Sequence, residues 1–104
     1  MLLKRYRLQI QSVISRSSRN VRAGGITLKV FPNDLPYGRF GVIIPKAVAK
    51  TAVLRNRLKR AAFDAFVSQQ KNLIGRDTLC IVSRGAPLTR DGMMREITRL
   101  LANV

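Results

Sequence analysis

The segment with the clearest chemical capacity is a run of basic side chains in the middle of the sequence. Residues 46–60 read KAVAKTAVLRNRLKR and hold six basic residues and no acidic one. A guanidinium group is planar and can bond two phosphate oxygens at once, so clustered arginines favour a phosphate-bearing partner. On a helix, one face of this segment would carry Arg55, Asn56, Arg57, Lys59 and Arg60. An ordinary solvated helix face would intersperse acidic residues, because like charges one turn apart repel each other.

The charge of the whole chain supports the same interpretation. Twenty lysine and arginine residues against five acidic ones give a net charge of +15. Residues 1–60 hold 14 basic and one acidic side chain, whereas residues 61–104 hold six and four. An excess concentrated in one half repels itself unless phosphates neutralise it. Solubility alone needs a net charge of only about 2–8, so the distribution predicts nucleic-acid binding.

The composition argues against a catalytic or metal site made by the protein alone. With no histidine and a single cysteine, Cys80, the chain lacks a Ser–His or Cys–His triad, a cysteine-rich zinc site and an internal disulfide. Its acidic residues are scattered, so we expect no carboxylate pair that holds two metal ions; they are Asp34, Asp64, Asp77, Asp91 and Glu96. No apolar run approaches the roughly 18 residues of a membrane span, and we expect neither a signal peptide nor a membrane contact. We therefore expect a cytoplasmic protein.

The elements that must position the basic face follow from hydrophobic periodicity. Alternating apolar residues predict strands over residues 26–31 and 39–44, and the turn-forming residues between them suggest a hairpin. Residues 78–83 are almost continuously apolar, which predicts a central or covered strand. The polar stretch at residues 15–20 is expected to be a loop.

Helices are predicted at three places, and the long central one carries the basic face. Its apolar stripe over residues 51–72 comprises Leu54, Leu58, Ala61, Ala62 and Ala65. Thr89 can cap a last helix, whose buried stripe would hold Met93, Met94, Ile97, Leu100, Leu101 and Val104. A short helix is expected over residues 4–16. With 104 residues and a 46% hydrophobic fraction, we expect one RNA-binding domain over residues 1–104, a mixed sheet covered by helices.

The strand and the basic helix together resemble the protein component of bacterial ribonuclease P. That family carries a strand of the form R-x-G-hydrophobics-K, followed by A-V-x-R-N-R-x-K-R and then an acidic and an aromatic residue. Residues 39–46 of this chain read RFGVIIPK, residues 52–60 read AVLRNRLKR, and Asp64 and Phe66 follow. The resemblance is close over residues 39–66, and the remainder agrees in the order of elements.

The resemblance implies an α+β fold of order αβββαβα, a two-layer sandwich whose mixed sheet contains a left-handed βαβ crossover. Such a crossover breaks the usual right-handed rule for parallel βαβ units. The same arrangement is similar to a domain of a small-subunit ribosomal protein.

The resemblance also implies a function, the endonucleolytic removal of the 5′ leader of precursor tRNA. The helix with Arg55, Asn56, Arg57, Lys59 and Arg60 would dock on the catalytic RNA, whose Mg²⁺ ions would activate water for hydrolysis. A cleft between the first helix and the sheet would hold the leader, with Lys46, Lys50, Ile10, Ile14 and Phe40 as its expected contacts. The protein would contribute no catalytic residue and would be monomeric apart from the RNA.

Two departures from the family pattern leave roles open. Members usually place two aromatic residues one turn apart on the first helix, where this chain has Ile10 and Ile14. These isoleucines, like Phe40, can be read equally as core residues. Phe63 stands where a basic residue is common, and the sequence offers no physical reason to choose between packing and contact with a partner.

Three other functions remain as alternatives at the level of the sequence. The main one is a general RNA-binding or ribosome-assembly protein without a role in tRNA cleavage. A nuclease active without RNA is disfavoured by the missing histidine and the unpaired acidic residues. A cationic peptide of the membrane surface is disfavoured by the strand pattern and by the lack of a Trp-anchored amphipathic helix.

Overall fold

A computed structural model describes residues 4–13 and 18–104, which form an α+β fold with one mixed sheet and two α-helices. The elements in chain order are β1 (Arg19–Ala23), β2 (Ile26–Pro32), β3 (Arg39–Ile43), α1 (Ala52–Ser68), β4 (Arg76–Val82) and α2 (Arg90–Leu101). Short 3-10 turns occur at Lys4–Tyr6, Ile10–Ser12 and Gln70–Leu73. The predicted α+β class is confirmed, and the strands expected over residues 26–31, 39–44 and 78–83 correspond to β2, β3 and β4.

β4 is a central strand, because the order across the sheet is β1-β2-β4-β3. It pairs antiparallel with β2 and parallel with β3, so that Leu28 and Val42 both lie opposite Cys80. This position confirms the prediction from its apolar run. The predicted hairpin between β2 and β3 is wrong, since β4 comes from later in the sequence and separates the two strands.

The first strand begins at residues 19 and 20, inside the stretch that the residue pattern predicts as a loop, whereas the order αβββαβα implied by the resemblance includes a strand before β2. Arg19 and Asn20 begin β1, which joins β2 through a two-residue turn at Gly24 and Gly25. Both glycines have positive φ, 58° and 78°, the backbone conformation that tight hairpin turns require. β1 is an edge strand with exposed polar side chains, so it lacks the apolar alternation by which β2 was recognised.

The main core lies between the sheet and the two helices, as predicted. α1 buries Leu58, Ala61, Ala62, Ala65 and Phe66. α2 buries Met93, Ile97, Leu100 and Leu101, whereas Met94 and Val104 are half-buried. Thr89 caps α2 as predicted, its hydroxyl oxygen accepting a hydrogen bond from the Gly92 amide at 3.1 Å.

The opposite face of the sheet is partly covered by the amino-terminal segment. Residues 4–13 form two 3-10 turns in place of the predicted helix, and residues 14–16 of that helix lie outside the described residues. The Leu8 amide donates to the Phe40 carbonyl at 2.9 Å. Arg7 and Phe40 form an isolated parallel β-bridge. The backbone amide of Leu8, which in an α-helix would bond within the segment, therefore bonds to the edge of β3. Leu8 and Val13 then join a second small core on this face.

Candidate nucleic-acid interface

α1 turns its polar face away from the core. Asn56, Arg57 and Arg60 are exposed, and Lys59 is half-buried. The opposite side of the helix is anchored because Leu58, Ala61 and Ala65 are fully buried. The first turn is capped by Thr51, whose hydroxyl oxygen accepts from the Leu54 amide at 3.1 Å. Packing on one side and capping at the start therefore fix the direction in which the basic side chains project.

Arg55 differs from the other basic residues of α1 because its guanidinium turns back on the chain. Its Nη1 donates to the Ala49 carbonyl at 2.9 Å and to the Lys50 carbonyl at 3.2 Å. These bonds tie the loop before the helix to the first turn of α1. Arg55 consequently has fewer free donors for a phosphate than Arg57 or Arg60.

The loop that precedes α1 carries the two predicted leader lysines. Lys46 and Lys50 are exposed, while Ala49 between them is buried. The amides of Val48 and Ala49 both donate to the Pro45 carbonyl, at 3.0 and 3.2 Å. The loop is thus a fixed turn, and both lysine side chains lie on its accessible side.

A groove runs along the outer face of α1. It is lined by residues 6 and 7 of the amino-terminal segment and by the polar face of α1, with one residue each from the turn after α1 and from the start of α2. Its cationic lining consists of Arg7, Lys59, Arg60 and Arg90, and its lining also includes Asn56, Gln70, Tyr6, Phe63, Asp64 and Val67. Asp64 is paired with Arg90, whose Nη2 lies 2.7 Å from the Asp64 carboxylate. The remaining three cations are free of an acidic partner within the lining, so the groove attracts anions. We call this surface the α1 groove.

Phe40 and Phe63 occupy places that the sequence did not settle. The Phe40 side chain is fully buried; its ring stacks on Phe66 at 5.1 Å and meets Phe63 edge-to-face at 5.3 Å. This burial contradicts the expectation that Phe40 contacts the leader, because its ring lies beneath α1. Phe63 packs on Phe40 of β3, so the packing role that the sequence left open is observed. Its half-buried side chain also lines the α1 groove.

Of the two isoleucines predicted to contact the leader, Ile10 lies on the sheet face opposite the helices. Ile10 is half-buried there and packs against the second small core, as do Ile43 and Ile81, which are register partners on β3 and β4. Ile14 lies outside the described residues. Ile43 and Ile81 are not among the residues predicted to contact the leader, although strict alternation along the two strands places them on the face opposite Val42 and Cys80.

The described acidic side chains are mostly engaged with cations. Asp77 is fully buried against Arg39, Asp64 pairs with Arg90, and Glu96 pairs with Arg99. Within residues 4–13 and 18–104, no three His, Cys, Asp or Glu side chains meet in a group that could hold a metal ion.

The single cysteine belongs to the core. Cys80 is buried in the middle of β4, and desolvation raises the pKa of its thiol to about 12. It is therefore a neutral core residue at physiological pH.

Neither α1 nor α2 is long and apolar enough to cross a lipid bilayer, and the same holds for every helix in the part described.

The sequence matches those of known proteins. A family model described as Ribonuclease P matches residues 3–104. The ribonuclease P protein component of Stutzerimonas stutzeri is 31% identical over 93 residues, which cover 88% of this chain and 71% of that protein. The component of Ectopseudomonas mendocina is 32% identical over 77 residues, covering 74% of this chain and 58% of that protein. The chain likewise spans between one half and three fifths of the length of several other curated relatives it matches.

The fold is also similar to that of solved structures. A mutant of the Staphylococcus aureus RNase P protein superposes with a TM-score of 0.75 at 24% identity, covering 97% of this chain and 86% of that chain. The described helices and the four-stranded mixed sheet are thus those of a known fold.

Proposed function

Because the chain belongs to the ribonuclease P protein family, we propose that it is the protein subunit of a bacterial ribonuclease P. In this proposal the subunit joins a catalytic RNA in an endonuclease that removes the 5′ leader of precursor tRNA. The protein works by lowering phosphate repulsion and by holding RNA, and it supplies no catalytic residue. We further propose that it is cytoplasmic and monomeric apart from the RNA.

The observation that carries this proposal is the fixed cationic face of α1. Arg57 and Arg60 are exposed on a helix whose other side is fully buried, and Lys59 projects beside them into the α1 groove. Because the backbone of the helix is already fixed, binding phosphates does not require that the backbone be ordered first. Each phosphate contact also releases counterions, which favours binding at moderate salt. We assign this face, with Arg55 and Asn56, to the catalytic RNA.

The leader is assigned to the sheet face beside the amino-terminal segment. Ile10, Ile43 and Ile81 form a half-buried apolar surface there. Lys46 and Lys50 lie on the loop that follows β3 and are exposed, so they can meet the phosphates of a strand that crosses this surface. Isoleucine side chains pack on bases but lack an aromatic face, so affinity for the leader relies on the lysines more than on stacking.

Magnesium is assigned to the RNA subunit. Bound Mg²⁺ would activate water and stabilise the charge that develops on the scissile phosphate. The described acidic side chains do not form a group that could hold it, and we derive no catalytic step through them.

Reconstitution with the cognate ribonuclease P RNA tests the proposal. Cleavage of precursor tRNA would be measured over a series of Mg²⁺ concentrations with and without the protein. We expect the protein to lower the Mg²⁺ concentration needed for cleavage, because its cations replace part of the ionic screening. Arg60→Ala should lose much of this effect. Arg95→Ala removes the same charge from an exposed position of α2 and serves as its matched control.

Two results would contradict the proposal. The first is a protein that binds ribosomal RNA tightly yet leaves precursor cleavage unchanged at low Mg²⁺, which would favour the ribosome-assembly alternative. The second is cleavage by the protein in the absence of any RNA subunit, which would place catalysis on the protein.

A further inference from the structure

We propose that the α1 groove holds an unpaired nucleotide of the RNA subunit, with its base against Phe63. This inference rests on the proposed function and adds to it a defined subsite and a class of ligand. The groove has a volume of about 1070 Å³, slightly above the roughly 300–1,000 Å³ typical of sites for small molecules. A nucleotide-sized group therefore fits inside it.

The groove offers aromatic surface at fixed positions. Phe63 is half-buried, and its ring is held edge-to-face on Phe40 at 5.3 Å. Tyr6 also lines the groove, and its ring is held by Tyr37 at 5.3 Å in the same edge-to-face manner. Both rings thus lose little freedom when a base packs on them, and every base has a flat face that can stack.

Polar groups suited to the edge of a base lie beside the rings. Asn56 and Gln70 line the groove, and each amide carries both a donor and an acceptor. In the part of the chain that the structure describes, the Asn56 side chain makes no hydrogen bond. Its amide is consequently available for a base edge or a sugar hydroxyl.

The charges of the groove select a phosphate-bearing ligand. Arg7, Lys59 and Arg60 line it, while its acidic residue, Asp64, is paired with Arg90. These cations can hold the phosphates on either side of a nucleotide whose base lies on Phe63. In double-stranded RNA the bases are stacked inside the helix, so their faces cannot reach a protein ring. The combination of rings, amides and cations therefore indicates an unpaired nucleotide.

The test compares variants of Phe63 in the complex with the cognate RNA subunit. Phe63→Leu keeps an apolar side chain against Phe40 but removes the aromatic face. We expect it to weaken RNA binding by about 5- to 150-fold, the range equivalent to one base–aromatic stack. Phe63→Trp keeps an aromatic face and should bind about as well as the unchanged protein. Phe66→Leu alters a fully buried ring and controls for loss of stability, since it should leave the affinity of the folded protein unchanged.

Photo-cross-linking identifies the ligand directly. Ultraviolet irradiation of the complex, followed by mass spectrometry and mapping of the RNA, should join Phe63 or Tyr6 to a nucleotide outside the paired regions. The inference is overturned if Phe63→Leu binds as tightly as the unchanged protein, or if the cross-links map to paired nucleotides.

Cleavage assays separate this result from the proposed function. If the unchanged protein fails to stimulate precursor-tRNA cleavage, the proposed function and the inference fall together. If it stimulates cleavage and Phe63→Leu has no effect on RNA binding, only the groove assignment is lost.

Discussion

Arg39 holds the buried carboxylate of Asp77 by two parallel hydrogen bonds. Nε of Arg39 donates to Oδ1 at 2.9 Å, and Nη2 donates to Oδ2 at 2.6 Å. The two residues are register partners on β3 and β4, and Asn33 also donates to Oδ1 at 2.6 Å. The hydrogen bond to Asp77 is the main cause that raises the pKa of the Arg39 guanidinium above its usual value. The arginine of the R-x-G strand therefore serves the fold by neutralising a charge inside it.

Arg39→Ala should lower the free energy of unfolding by about 3–5 kcal/mol, because it leaves a buried carboxylate without its cation. Denaturant unfolding followed by circular dichroism measures the change. The double variant Arg39→Ala with Asp77→Asn should lose less than the two single variants added together, since the pair acts as a unit. A loss below about 1 kcal/mol for Arg39→Ala would argue against this role.

Thr78→Val should stabilise the protein by about 1 kcal/mol. The Thr78 side chain is fully buried, and its hydroxyl has no hydrogen-bond partner within the described residues. Valine has nearly the same shape and removes the unsatisfied oxygen. Thr27→Val is the matched control, because the Thr27 hydroxyl accepts from Nε of Arg22 at 3.2 Å and should give no gain. Equal effects of the two substitutions in thermal unfolding would contradict the prediction.

The salt dependence of RNA binding should distinguish Arg60 from Arg55. Each lost phosphate contact removes roughly 0.7–0.9 from the slope of log affinity against log salt, and Arg60→Ala should show that loss. Arg55→Ala should change the slope less, because its Nη1 is bonded to the carbonyls of Ala49 and Lys50. Binding titrations at several salt concentrations measure both slopes. A larger change for Arg55→Ala would reassign it as a phosphate contact.

Stability should fall as pH rises above 9, partly through Cys80. Burial raises the pKa of the thiol from 9.0 to about 12. Between these values the unfolded chain loses the thiol proton while the folded protein keeps it, so unfolding becomes more favourable as pH rises. The stability difference between the unchanged protein and Cys80→Ala should shrink by about 1.4 kcal/mol from pH 8 to pH 10. Denaturant unfolding under reducing conditions tests this, and a constant difference would contradict it.

Ile10→Phe should strengthen binding of the leader by about 1 kcal/mol or more, because it adds an aromatic face to a half-buried position. The measurement compares the affinity of the reconstituted complex for precursor tRNA with that for tRNA lacking a leader. An equal effect on both RNAs would show that the position does not contact the leader. A fall in stability without any gain in affinity would show that Ile10 is a core residue.

The sequence was informative wherever the determining interactions are local or periodic. The apolar stripe around Leu58 and the cap at Thr89 each depend on residues within a few positions, and both were predicted correctly. The apolar run around Cys80 indicated its central position in the same way. The basic face needed no further information, because a helix buried on one side must expose the other.

The errors arose where the determining partner is distant in the sequence. Nothing near β2 or β3 shows that β4 separates them, so the local turn between them suggested a hairpin. The edge strand β1 is defined by its pairing with β2, not by its own polar residues. The burial of Phe40 likewise depends on which neighbours the fold supplies, and residue type alone could not give it.

The central position of β4 has a consequence for the order of events during synthesis. β1 and β2 can form their hairpin early, but β3 is joined to them only when residues 76–82 have emerged from the ribosome. Until then the four-stranded sheet on which the apolar side of α1 packs is incomplete. Because contacts between distant residues form slowly, we expect the strongly cationic segment before β4 to remain open until residues 76–82 have been synthesised.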